Sequence, residues 1–178
     1  MVRRLVVSAV LLGLVGNSGP VLDGSRDLIA LSTPPGQPAL ADPVESLAPG
    51  SEAPRLVDVR NVADRPLSTV VLTTVATQSS VLDRDLEHGL RLRVDACSEP
   101  WDGSPAAYRC PGTESEVIGW RPVVMERVPL AVLEGLAPDA VAHLRLTTHL
   151  PATGPATPGL VTTIDYRFTA APSLGGGP

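Results

Sequence analysis

The stretch Thr162–Ala170, TTIDYRFTA, decides the fold. Ile164, Tyr166 and Phe168 stand at every second position, with Thr163, Asp165, Arg167 and Thr169 between them. Successive side chains of a strand point to opposite faces, so this alternation predicts one apolar, aromatic face and one polar face. Three bulky side chains need a preformed apolar surface to cover, which makes the segment a closing strand of a β-sheet domain. Pro158-Gly159 before it and Pro172 after it mark both ends.

Two other segments share the same period. In Leu90–Ala96, Leu90, Leu92, Val94 and Ala96 oppose Arg91, Arg93 and Asp95; in Ala142–Leu150, Ala142, Leu144, Leu146 and Leu150 turn inward. Ser68–Thr77 is β-branched almost throughout, as suits a strand covered on both faces or central to its sheet. Arg55–Asn61 puts Val57 and Val59 on one face and runs into a polar turn ending at Pro66. Asp27–Leu31 is a short first strand, followed by a linker or long loop, Ser32–Gly50, that contains Pro34, Pro35, Pro38, Pro43 and Pro49. Trp101–Gly119 is expected to be a long irregular insertion. Val123–Leu133 should hold one or two short strands broken by Pro129, and Pro151–Gly159 a loop.

Seven or eight short strands at turn-punctuated spacing, with no useful helical period, predict an all-β fold: an antiparallel, jelly-roll-like β-sandwich with long loops. Composition agrees. Hydrophobic residues make up 43% of the 178-residue chain but aromatic ones only 3%, so the core must be built from Val, Leu and Ala. Nineteen prolines and sixteen glycines are too many for a helical protein.

Residues 1–18 have the form of a signal peptide preceding the domain. Arg3 and Arg4 supply the positive start and Leu5–Val15 the apolar run, and Gly16-Asn17-Ser18 places small residues for cleavage before Gly19. That run of roughly 11 residues falls short of the ~20 that span a bilayer as a helix. No membrane span is therefore expected in the mature chain, and a retained anchor is the alternative to cleavage. The chain divides into a signal peptide (1–18), an N-terminal strand and Pro-rich linker (19–50), the sandwich (51–171) and a disordered tail (172–178).

The net charge of −5 lacks the basic stripe of a nucleic-acid binder. All fourteen basic residues are arginine, which reads as a composition bias rather than as a site. Cys97 and Cys110 are the only cysteines, and an even pair in an exported, loop-rich region is most simply a disulfide closing a ~14-residue loop. No C-x-x-C or paired histidines accompany them for zinc.

His143 and His149 share a strand face, but six residues at ~3.3 Å each hold them roughly 20 Å apart, too far to share a metal. His88 could reach one of them at most, and surface histidines are the expectation. Asp83, Asp85 and Glu87 alternate in a manner similar to a calcium loop, without the central glycine and terminal acid of an EF-hand, so a polar loop is expected there. No serine sits in a G-x-S-x-G elbow. No catalytic residue, metal site or cofactor is assigned.

With these segments placed, the order of motifs resembles the camelysin/TasA family of exported proteins of Gram-positive bacteria. The residues that carry the resemblance begin with Leu47-Ala48-Pro49-Gly50-Ser51, Val57-Asp58-Val59-Arg60-Asn61 and Ser80-Val81-Leu82-Asp83-Arg84-Asp85. Gly89-Leu90-Arg91-Leu92-Arg93-Val94 then runs into Cys97, and Tyr108-Arg109-Cys110 and Thr163–Ala170 complete the set. The resemblance spans roughly Asp27 to Ala170. It implies a jelly roll, secretion and a role as matrix fibre or cell-envelope protein, with subunits joined when an N-terminal segment adds as a strand to its neighbour. The donor here would be Asp23–Leu31. This chain departs from the family in its short leader and in lacking a Phe-rich strand after cleavage.

The expectation is thus a non-enzymatic, secreted surface or matrix protein that self-associates or binds envelope components. The alternatives are a metal-dependent peptidase, as camelysin relatives are labelled, and a surface ligand-binding module for a carbohydrate or host protein. The scarcity of aromatic residues counts against a sugar platform.

Overall fold

Period-two alternation and β-branched density produce nine strands among the described residues, which in this computed structural model are 6–9, 28–40, 47–156 and 159–173. The strands are β1 (Val6–Ala9), β2 (Ile29–Ser32), β3 (Glu52–Asn61), β4 (Leu67–Gln78), β5 (Arg91–Cys97), β6 (Glu114–Pro122), β7 (Met125–Pro129), β8 (Val141–His149) and β9 (Val161–Pro172). A helical turn, α1 (Val81–Arg84), links β4 to β5, and a 3₁₀ turn, Ala131–Leu133, links β7 to β8. Of the expected signal peptide only β1 is described. The rest of it, residues 41–46 of the Pro-rich segment and the tail from 174 onward lie outside the described residues.

Two sheets face each other. One runs β1-β9-β4-β7 and the other β2-β3-β8-β5-β6, and every pairing is antiparallel except that of β1 with β9. The chain changes sheet between β3 and β4, again between β4 and β5, and at each link from β6 to β9. This is the all-β sandwich that the alternation predicts. β4 is central to its sheet, between β9 and β7, in keeping with its β-branched sequence. Its inner face is closed, with Val70 and Leu72 fully buried; on the outer face Val71 is buried too, while Val75 is exposed.

The inner faces are the predicted ones. Ile164 and Tyr166 are buried and Phe168 packs against the same core; Leu92, Val94 and Ala96 of β5 and Leu144 and Leu146 of β8 meet them. Leu72 stands opposite Phe168 and Ala76 opposite Ile164. Burying Leu or Ile from water stabilises by roughly 1.5–3 kcal/mol each, so these facing rows supply the driving force for closure.

The described parts of the N-terminal region belong to the sandwich. β2 pairs with β3 from Ile29↔Asn61 to Ser32↔Asp58, and Leu40 and Leu47 of the Pro-rich segment are buried in the main core. Two segments differ from expectation. Asp83 and Arg84, the first two residues of the expected polar loop Asp83–Glu87, instead end α1, which a capping box starts: the Ser80 hydroxyl accepts from the Leu82 amide and the Asp83 carboxylate accepts from the Ser80 amide. The expected irregular insertion ends early, because Glu114–Pro122 pairs with β5 as an edge strand.

Asn61 fixes the corner between β3 and β4. It is fully buried, its Nδ2 donates to the Arg65 and Leu136 carbonyls, and its Oδ1 accepts from the Ala63 amide. Three bonds satisfy the side chain, as an amide inside a core requires.

Candidate functional site

The outer face of the five-stranded sheet carries the polar partners of the core residues. Alternation along β5 and β8 sends Arg93, Asp95, Arg145 and Thr147 outward, and the register sets Asp95 opposite Arg145 and Arg93 opposite Thr147. Strand pairing thus assembles a charged patch from residues about fifty positions apart in sequence.

Residues 98–113 fold over one end of this face. Cys97 and Cys110 form a disulfide, with Cα atoms 5.6 Å apart, as the cysteine pair predicts. Asp102 and Arg109 exchange backbone hydrogen bonds inside the loop. Gly103 turns the chain at φ +100°, where an added Cβ would collide with the Ala107 carbonyl. Beneath the loop, Leu56, Cys97, Trp101 and Tyr108 make a second, smaller core on the outside of the sheet. The Trp101 indole donates to the His143 carbonyl and the Tyr108 hydroxyl to Gln37 Oε1. Burial pushes the Tyr108 hydroxyl pKa up. The second core lies outside the sandwich proper, and its two large rings come from a stretch with no strand period.

Between the loop and β6 lies a groove of about 360 Å³. Its floor is Thr147, Arg145, Arg93 and Asp95, one wall is Pro105–Tyr108, and Trp120 of β6 is the other. Arg145 lies across the Trp101 ring at 4.2 Å and reaches Asp95 at 2.9 Å and Glu114 at 2.6 Å. Arg93 meets Asp95 at 2.8 Å and Glu116 at 3.6 Å. The hydrogen bond to Asp95 holds the Arg93 guanidinium above its ordinary pKa. Asp95 is almost wholly buried between the two arginines. Trp120 is 41% exposed, its ring 5.3 Å from that of His149.

The histidines are kept apart. His143 Nδ1 lies 2.7 Å from Asp58 Oδ1, and its side chain is only 16% exposed, so the expectation of a surface residue needs correction there. His149 Nδ1 lies 3.1 Å from the Ser51 carbonyl, at the other end of β8. His88 follows α1 beside Asp85, whose carboxyl is lowered first by hydrogen bonds from the His88 and Glu87 amides. Asp83 faces inward to Ser79 and Thr162, away from the acids it alternates with. Among the described residues no three His, Cys, Asp or Glu side chains converge as metal ligands, and no helix is long and apolar enough to cross a membrane.

The groove escapes sequence reading because its parts come from β5, β6, β8 and the disulfide loop. The signal available was the Arg91, Arg93, Asp95 face of one strand. Comparison with known proteins finds no matching family model and no matching curated protein.

Proposed function

We propose that this chain is an exported structural or surface protein of the cell envelope or extracellular matrix, which joins copies of itself along the β9 edge of the four-stranded sheet. The observation that carries the reading is β1. Its residues Val6–Ala9, drawn from the expected signal peptide, pair in parallel with Val161–Ile164 of β9. Cleavage before Gly19 would remove that strand and leave β9 with a row of unpaired backbone groups. An open sheet edge is a template for main-chain pairing with another chain.

The disulfide supports export, since such bonds persist in oxidising compartments. The resemblance to the camelysin/TasA family supports a matrix or envelope role. The expected donor, Asp23–Leu31, is narrowed by the fold, because Ile29–Leu31 already pair with β3. Leu28 is engaged as well, its carbonyl accepting from the Val62 amide, so what remains of that donor is Asp23–Asp27, which reaches roughly 17 Å when extended.

Electron microscopy and sedimentation of two purified chains test this. The protein starting at Gly19 should form oligomers or fibres, and the chain retaining 1–18 should stay monomeric. Monomers from both across pH and concentration would overturn the proposal. Stoichiometric zinc in the purified protein would instead favour the metal-dependent peptidase.

A further inference from the structure

We infer that the groove between the disulfide loop and Trp120 is a binding site for an uncharged oligosaccharide. The volume, about 360 Å³, lies in the range of small-ligand sites. The distribution of charge on its floor points to the ligand class. Arg93 and Arg145 are each turned to carboxylates, Asp95 is shared between them, and Glu114 and Glu116 take the remaining contacts. Asp95 and Glu52 line the groove with the two guanidinium groups, and Glu114 and Glu116 bond those groups from outside it, which leaves no net positive charge for a phosphate, sulfate or carboxylate to neutralise. Of the lining acids only Glu52 lacks an arginine partner, and its carboxylate lies 4.0 Å from His149 Nδ1, so a cationic ligand would find at most one exposed carboxylate to pair with.

What such a floor offers is a fixed array of planar donors and acceptors. A guanidinium carries five N–H donors and a carboxylate about four lone-pair sites, so each retains capacity after pairing with the other. Adjacent hydroxyl groups of a sugar ring, each both donor and acceptor, match the guanidinium edges and the exposed Glu52 carboxylate, while Asp95 and Thr147, both buried, back the floor. Pairing also holds the polar groups in place, so binding costs little side-chain ordering.

Trp120 supplies the apolar contact. A large indole at an outer-sheet position, 41% exposed beside a polar floor, presents surface on which the C–H face of a sugar can stack. The opposite wall is held by the disulfide and by the Tyr108–Gln37 bond, so the groove keeps its width without a ligand. The site is independent of the β9 edge, which belongs to the other sheet.

Tryptophan emission reads binding directly, because Trp101 is buried and Trp120 is not. The full chain is titrated with neutral hexasaccharides of glucose, mannose, galactose and N-acetylglucosamine, and with polygalacturonate as the acidic contrast. At least one neutral hexasaccharide should shift the emission saturably at up to millimolar concentration, and polygalacturonate should not. Trp120→Ala, read by affinity electrophoresis because the substitution removes the reporting indole, should weaken that binding about tenfold or more, in line with the loss of an aromatic stacking platform. Arg93→Ala, followed by affinity electrophoresis, should weaken it while the thermal midpoint confirms a folded protein. No saturable shift with any neutral sugar overturns the inference. So does a preference for the acidic polymer, or binding that survives both substitutions.

Discussion

The Thr162 hydroxyl donates to Asp83 Oδ1 at 2.8 Å, tying the start of β9 to α1 inside the protein. The Ser79 hydroxyl and the Ser80 amide donate to the same carboxylate at 2.7 and 2.6 Å. Burial alone would push the Asp83 carboxyl up; the hydrogen bonds from Ser79, Ser80 and Thr162 outweigh it and hold the group below its ordinary value. A carboxylate with a depressed folded pKa stabilises fully above its unfolded pKa, and that contribution is lost as pH falls through the folded value. Asp83→Asn should therefore lower stability at neutral pH by about 1–2 kcal/mol. It should also flatten the loss of stability on acidification below about pH 4, measured by urea unfolding at several pH values.

Removing the disulfide should loosen one end of the outer face and spare the sandwich. The bridge closes a loop with a sequence separation of 13. The chain-entropy model gives about 3 kcal/mol for a loop of that size. Cys97→Ala with Cys110→Ala should lose about that much in denaturant unfolding. Trp101 emission should move to the red as the small outer core opens, while far-ultraviolet dichroism keeps its β signature.

Asn61 should be the least replaceable polar residue of the core. Asn61→Ala strands two carbonyls and one amide, and should cost about 2–4 kcal/mol in urea unfolding. Asn61→Asp should be no better, since an ionised carboxylate cannot donate to the Arg65 and Leu136 carbonyls.

Facing along β4 gives a paired test of the sandwich. Leu72 is fully buried and Val75, three positions on, is 38% exposed on the other face. Leu72→Ala should lower stability by about 3 kcal/mol, whereas Val75→Ala should stay within about 0.5 kcal/mol. Equal effects would mean that the strand is not oriented as described.

The sequence was most legible where burial imposes a strict period. Leu92, Val94 and Ala96, Leu144 and Leu146, and Ile164 and Tyr166 face inward as alternation requires, because one sheet face meets the core and the other does not. β6 was hidden because it is an edge strand: in Glu114–Pro122 only Ile118 is buried, so no apolar row announces it. α1 is four residues long, too short for a helical period, and its only trace is the Ser80-to-Asp83 capping spacing. The groove depends on which strands become neighbours. Nothing local to Trp120 or Arg145 says that they will share it.

Amide hydrogen exchange along Val161–Ile164, read in three states of the protein, tests the edge-pairing account most directly. The amides of β9 that face away from β4 should be protected when residues 1–18 are present, exchange freely in the dilute chain starting at Gly19, and regain protection when that chain is concentrated enough to assemble. Equal protection in all three states, or assembly that leaves those amides exchanging freely, would contradict it.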